Sequence, residues 1–353
     1  MKPYLYDSRQ RQNLLIFRKF PVWMAMFANN SSSEDEHITG HSGNNGTCFL
    51  PIDFVAVMIS STTIYSILLL ASLIGNSLLI YASVKSNVRM GLVLANIAAS
   101  DILYSIFHLP REMVVYIKKS TAFQVHGWIG HVLCKICIFV SDVTIAVSTL
   151  SLILVAADRL IAVVFPATYI QVTVKKRRLL ILSTWIIAMA MHSPYFYTFG
   201  LDAINGECIT NWEPAFNHES THTRYYTALL VTVLILPLIT VCILQAIVLV
   251  KLRRDRLAHS RTCIANQRRT KRNKKLLKMS VAITLAFALC WIPFIAFQLL
   301  ILHFPSSIPH CSLGFTVFSQ FVFFLALCHS IVNPCICFKF MRRVRIVLKP
   351  GGN

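Results

Sequence analysis

Charged side chains are scarce in this chain, and acidic ones scarcer still. Lys, Arg, Asp and Glu make up 14% of 353 residues, with 34 basic against 14 acidic, while 56% are hydrophobic. A water-soluble domain of that balance would expose large apolar patches, so a soluble fold is excluded. The apolar stretches lack the alternation of lipid-facing and lumen-facing residues, which excludes a transmembrane β-barrel. No repeat recurs at the period of solenoids. No inverted symmetry pairs interrupted helices, so a transporter is disfavoured. No filter segment or ring of charge marks a channel. No metal-ligand spacing or nucleophile elbow appears, so an enzyme and a metal site are not expected.

What the chain does have is seven long apolar stretches, at about 57–84, 91–116, 134–165, 179–199, 226–250, 277–302 and 314–338. A membrane helix needs roughly 20 mostly apolar residues. The expected fold is an all-α membrane protein, a seven-helix bundle over 57–338. A polar tail, 1–56, precedes it, and a short tail, 339–353, follows.

The net charge of +20 suggests nucleic-acid binding, but its distribution argues against that partner. Lys85 and Arg89 fall in the first candidate cytoplasmic loop, and Lys175, Lys176, Arg177 and Arg178 in the second. A basic run from Lys251 to Lys278 forms the third, and Lys339 to Lys349 the tail. The opposite loops hold little base beyond Lys118, Lys119 and Arg224. Positive charge gathers on the cytoplasmic side. The amino terminus is therefore expected outside, in a multi-pass plasma-membrane protein. The third cytoplasmic loop is expected to be solvated and to meet anionic lipid and a cytoplasmic partner.

Asn29, Asn30 and Asn45 head glycosylation triplets in the tail expected outside. Residues 1–23 carry five basic side chains, which suits that location poorly, and Met24 or Met26 is an alternative start. Of eleven cysteines most lie in apolar stretches, where a thiol acts as a small hydrophobe. Cys48, Cys134, Cys208 and Cys311 should face outside, where the secretory route oxidises thiols.

Short motifs recur, about one per stretch. The third ends in Ala156-Ala157-Asp158-Arg159-Leu160, and a charged pair at the end of a membrane helix is a functional candidate. Gly75-Asn76-Ser77, Leu94 to Asp101, Trp128-Ile129-Gly130 before Cys134-Lys135, Trp185, Pro237, Cys290-Trp291-Ile292-Pro293 and Asn333-Pro334 supply the others. In this order, from about Ile59 to Arg345, the chain resembles the rhodopsin-like G-protein-coupled receptors, most of all those for peptides. The prolines fit: Pro110, Pro194, Pro237, Pro293 and Pro334 put a missing hydrogen bond in five of seven helices.

The resemblance implies more. Cys134 and Cys208 are the pair such receptors share, and Cys48 with Cys311 would tie the tail to the last outer loop, as in some peptide-binding members. Asp101 joins Ser148, Ser330 and Asn333 in a polar cluster that can hold a sodium ion, the one cofactor implied. His329 stands where many relatives carry Asn, which sets that ion in question. Arg159 pairs with Asp158 at rest and meets a heterotrimeric G protein when active; a purely structural salt bridge is the other reading. The basic start of helix six offers Arg159 no acid, so the lock is expected to rest on Asp158 alone. The seventh helix ends Asn333-Pro334-Cys335-Ile336-Cys337, without the family's tyrosine. Residues from Phe338 to Arg343 resemble a short amphipathic eighth helix.

Trp291 is expected at the floor of a ligand pocket, with Phe294 and Gln298 on the same face. Ser141 lies eighteen residues, five turns, before Arg159 and so points into the bundle, as do Ile145 and Ser148. Asp142 is placed roughly 100° off that face. Amine receptors carry an aspartate where this chain has Ser141, so a monoamine ligand is disfavoured. No lysine lies between Gly314 and Phe338, so an opsin is excluded. Acids on the outer side, among them Glu112, Asp142 and Glu207, suit a basic peptide or serve solubility alone.

Overall fold

The computed structural model describes residues 54–85, 90–118, 120–258, 264–308 and 312–340. Helix α1 spans Phe54–Lys85, α2 Gly91–Lys118, α3 Gly127–Val164 and α4 Val174–His192. Helix α5 runs as α-helix over His218–Leu229, as π-helix over Leu230–Ile235 and as α-helix again over Leu236–Ala258. Helix α6 is Ile264–His303, and α7 is a pair, Leu313–Leu327 and His329–Phe340, bent by 43°. Six of these are long and apolar enough to cross a membrane, and the bent pair makes a seventh.

The spans are apolar on the outside as well as within. Exposed large hydrophobics, such as Ile67, Leu70, Leu180, Ile186, Ile243 and Leu289, stud their outer faces. That is the surface a lipid-facing bundle requires, since lipid tails are as apolar as leucine. α3 is the most buried span and α4 the least. The core packs Leu94, Val147, Met279, Ile283, Phe287 and Trp291. Side-chain hydrogen bonds tie the helices where no water competes. Trp185 Nε1 donates to Asn96 Oδ1 (2.9 Å), and Asn96 Nδ2 donates to Ser151 (2.9 Å), joining α4, α2 and α3.

The helices run beyond the apolar stretches that announced them. α3 begins at Gly127, two turns before Cys134, and α5 at His218 rather than near 226. Hydropathy marks the slab a helix crosses, whereas capping marks where it starts, as Asn217 does by accepting from Ser220 N at 3.1 Å. The chain between α4 and α5 holds a hairpin that the sequence did not announce. Strands β1 (Phe199–Leu201) and β2 (Cys208–Thr210) pair antiparallel, Gly200 opposite Ile209.

Four of the five prolines lie inside helices: Pro110, Pro237, Pro293 and Pro334. Pro194 instead starts a fresh turn, Tyr195–Thr198, after α4 has ended. Pro237 follows the π-helical turn, where Leu236 N–H reaches back to Val231 O. The wider turn absorbs the hydrogen bond that proline cannot make. At Pro334 the freed acceptor is Ser330 O, and Asn76 Nδ2 of α1 supplies its donor at 2.8 Å. Gly75 permits that approach, because a Cβ there would stand 3.2 Å from Pro334 Cγ.

The glycosylation triplets at Asn29, Asn30 and Asn45, the Cys48–Cys311 pairing and the eighth helix beyond Phe340 lie outside the described residues.

Candidate functional site

A cavity of about 610 Å³ opens among α2, α3, α5, α6, α7 and the hairpin. The hairpin is held by a disulfide from Cys134 to Cys208, Cα–Cα 5.7 Å. This clips β2 to the second turn of α3 and so fixes one wall. Glu207, next to the bridge, bonds to Thr121.

All six residues singled out as ligand contacts line the cavity: Ser141, Asp142, Ile145, Trp291, Phe294 and Gln298. Trp291 is buried, with Phe294 edge-on at 5.3 Å and Phe287 at 5.8 Å between ring centroids. Two of the six sit differently from the helical-wheel expectation. Ser141 turns its hydroxyl back to Cys137 O (2.7 Å) and so offers the cavity little. Asp142, placed off the inward face, reaches the cavity because Tyr195 draws it there, donating to Oδ2 at 2.6 Å. Tyr195 stands in the turn that Pro194 starts, against Phe199 and Tyr226. That turn was invisible to a reading that ran the fourth helix on to residue 199.

Glu112, named among the outer acids, has partners that the sequence reading did not assign. Arg111 Nη2 meets Glu112 Oε1 at 2.8 Å, and His108 Nε2 stands 3.9 Å from the same oxygen. Glu112 is therefore matched by a cation of its own helix, just past Pro110. Asp142 has no such match, for among the described residues no ion pair reaches its carboxylate.

Beneath the cavity lies the polar core. Ser148 donates to Asp101 Oδ1 and Asn333 Nδ2 to Oδ2, both at 2.9 Å. Ser100 stands 2.8 Å from Ser148. Ser330 does not join this cluster through its side chain, since its hydroxyl donates to Leu327 O at 3.2 Å. The neighbour is His329, whose Nε2 is 3.8 Å from Asp101 Oδ1. Its ring packs near Tyr104 and Trp291, each 5.1 Å away.

At the far end of α3, Asp158 and Arg159 are paired. Asp158 is the acid that Arg159 meets, as the sequence suggested, but Arg159 shares that carboxylate with a second cation. Arg177 Nη1 from the first turn of α4 meets Asp158 Oδ1 at 2.5 Å. All three side chains are buried. Arg177 also lies over the ring of Tyr169, 5.6 Å away, in the short helix Pro166–Gln171 that links α3 to α4. Residues 175–178 had been placed together in the second cytoplasmic loop. Lys175, Lys176 and Arg178 are exposed, but Arg177 is not.

Comparison with known proteins agrees with this architecture. A family model described as "7 transmembrane receptor (rhodopsin family)" matches residues 75–336. Neuropeptide receptor 22 of Caenorhabditis elegans is 26% identical over 292 residues, covering 78% of this chain and 65% of its own length. Neuropeptide FF receptor 2 of Mus musculus is 27% identical over 302 residues, 80% of this chain and 69% of its own. Neuropeptide Y receptor type 4 of Rattus norvegicus is 28% identical over 295 residues, 78% and 74% respectively. The chain thus spans 65% to 74% of the length of these relatives.

Proposed function

The chain belongs to the rhodopsin family of seven-transmembrane receptors, and from that premise we propose that it binds an extracellular peptide and activates a heterotrimeric G protein. It is a receptor, not an enzyme. The amino terminus lies outside the plasma membrane, so the cavity faces the ligand and the Asp158 end faces the cytoplasm. The basic loops support this orientation.

One observation carries the reading. A single rigid helix, α3, presents Ser141, Asp142 and Ile145 to the cavity and holds Asp158 and Arg159 at its other end. Those two stations are eighteen residues apart, about 27 Å of helix. Helix α6 runs alongside with Trp291 in the cavity wall and Pro293 inside it. Proline removes one rung of the hydrogen-bond ladder and makes a bend. A ligand that prefers one arrangement of Trp291 biases that bend, and the bend changes what Arg159 faces. This is a coupling between two sites through two conformations.

The relatives named above are receptors for neuropeptides, which supports a peptide ligand. We assign that ligand a basic group, which Asp142 receives while Tyr195 holds the carboxylate in place. Arg111 already neutralises Glu112, which leaves Asp142, and Glu207 beside the disulfide, as the cavity acids without a cation among the described residues.

The family resemblance brings a sodium ion to Asp101, and the donor set does not suit one. Hard cations take oxygen ligands. Here Asn333 turns its amide nitrogen to the carboxylate, Ser330 turns its hydroxyl away, and His329 fills the remaining side. No step is routed through an ion.

The test is a basic-peptide library applied to cells expressing the full chain with a promiscuous Gα subunit, read as nucleotide exchange. Exchange driven by a peptide supports the reading. Activation by a monoamine instead, lost in Asp142→Asn, would make a small cation the better ligand class.

A further inference from the structure

Asp158 is a single buried carboxylate between two buried guanidiniums. Its side chain is 8% exposed, that of Arg159 4% and that of Arg177 7%. Arg159 takes Oδ2 and Arg177 takes Oδ1. The cluster therefore carries one more positive than negative charge. The inner end of the molecule offers few alternatives, because the only other acid of the basic loops, Asp255, is paired with Lys251 at 2.9 Å. Arg159 also keeps its Nε buried without a hydrogen-bond partner among the described residues.

A swing of Arg159 away from Asp158 changes this balance. A buried carboxylate that loses its last cation is strongly destabilising. Here it does not lose its last cation, for Arg177 stays. Arg177 is anchored independently of Arg159: it belongs to α4, whose first turn is capped by Thr173, and it lies over Tyr169 of the linking helix. Its presence acts twice in the same direction. It weakens the hold on Arg159 at rest, since two like charges crowd one carboxylate. It also satisfies Asp158 once Arg159 has gone. The basic run Lys175 to Arg178 does not by itself mark Arg177 for this, but its burial does.

We propose that Arg177 is a positioning residue that keeps Asp158 paired when Arg159 leaves it, and so favours the conformation that engages the G protein. This rests on the reading of the chain as a G-protein-activating receptor. A second bolt that kept Asp158, and through it the linking helix, in the resting arrangement would be the opposite role. The two roles predict opposite signs.

The experiment uses the full chain in phosphatidylcholine–phosphatidylserine vesicles, titrated with a panel of purified heterotrimeric G proteins depleted of nucleotide by apyrase. Such a complex reports the active conformation without an agonist. Affinity is measured for wild type, Arg177→Gln, Arg177→Lys, Asp158→Asn and the double variants, with a thermal melt on each. For the heterotrimer that binds wild type, Arg177→Gln should weaken binding about tenfold, a typical size for conformational coupling. Arg177→Lys, which keeps the charge, should fall between the two. In the Asp158→Asn background neither substitution at Arg177 should matter, because no carboxylate remains to be kept paired. That last comparison separates positioning from plain loss of stability, which would persist without Asp158. Should Arg177→Gln not fold, Arg177→Lys with and without Asp158→Asn completes the same cycle. Binding of Arg177→Gln as tight as wild type or tighter, or an equal loss in both backgrounds, would overturn the proposal. Binding of no heterotrimer by wild type would instead overturn the receptor reading, and this inference with it.

Discussion

The cavity end and the basic end of the bundle handle charge in opposite ways, although one helix, α3, serves both. At the cavity end acid is in excess: Arg111 matches Glu112, and Asp142 is left with a tyrosine hydroxyl. At the basic end cation is in excess: two guanidiniums share Asp158. In each place the carboxylate is held by a neighbour whose own burial fixes it, Tyr195 at Asp142 and Arg177 at Asp158. The difference teaches where the molecule is open to a partner. A matched pair such as Arg111–Glu112 is closed. A carboxylate held by a neutral hydroxyl will accept a cation, and a guanidinium that shares its partner will exchange it for another. Each site is preorganised, which lowers the cost of binding.

Four substitutions sharpen or break that contrast, in descending size of effect. Arg159→Ala should take agonist-driven nucleotide exchange to background while surface expression and binding at the cavity stay near wild type. Normal signalling by this variant would leave the Asp158 cluster a structural clamp and end the comparison. Next, Cys134→Ser releases β2 from α3 and should disable the cavity end alone. A disulfide contributes about 2–4 kcal/mol, so surface expression and peptide binding should fall together. Full binding in oxidising medium would show that the hairpin holds its place unaided.

Smaller again is Asp142→Asn. Removing the charge should lower the potency of a basic peptide by about tenfold to a hundredfold, the range of a charge-assisted hydrogen bond. A neutral analogue of the same peptide should notice nothing. Equal losses for both peptides would mean that Asp142 shapes the wall rather than reads charge. The smallest effect is at the polar core between the two ends. Exchanging sodium for potassium chloride should leave the wild-type melting temperature unchanged, whereas His329→Asn should make it rise with sodium. A sodium-dependent rise in wild type would restore the ion that the Asp101 donors argue against.

The sequence reached the bundle because hydropathy is a property of runs, and seven runs survive local detail. It reached the Cys134–Cys208 bridge and the Asp158–Arg159 pair through the family resemblance that its short motifs carry. It failed where a contact depends on what packs beside a residue. Asp142 was placed by helical angle, but a side chain leans by its rotamer toward a partner, and Tyr195 became a partner only because α4 stops at His192. The hairpin was missed because three-residue strands carry too short a pattern to read. Arg177 was the most costly omission. It heads the buried stripe of α4, continued by Thr184, Ala188 and His192 at steps of seven, four and four. That spacing was in the sequence, and a helix-face reading would have separated Arg177 from its exposed neighbours.

The repair at Pro334 has a mechanical meaning. The carbonyl of Ser330 that proline leaves bare in α7 is capped by Asn76 of α1, a helix that otherwise looks like passive scaffold. The weak rung of one helix is thus mended with a side chain borrowed from another. Any change in the bend of α7 has to carry Asn76 along or leave the Ser330 carbonyl unmatched, since Asn76 itself also bonds to Ser72 of its own helix. The stiffness of that joint is therefore written 254 residues away in the chain.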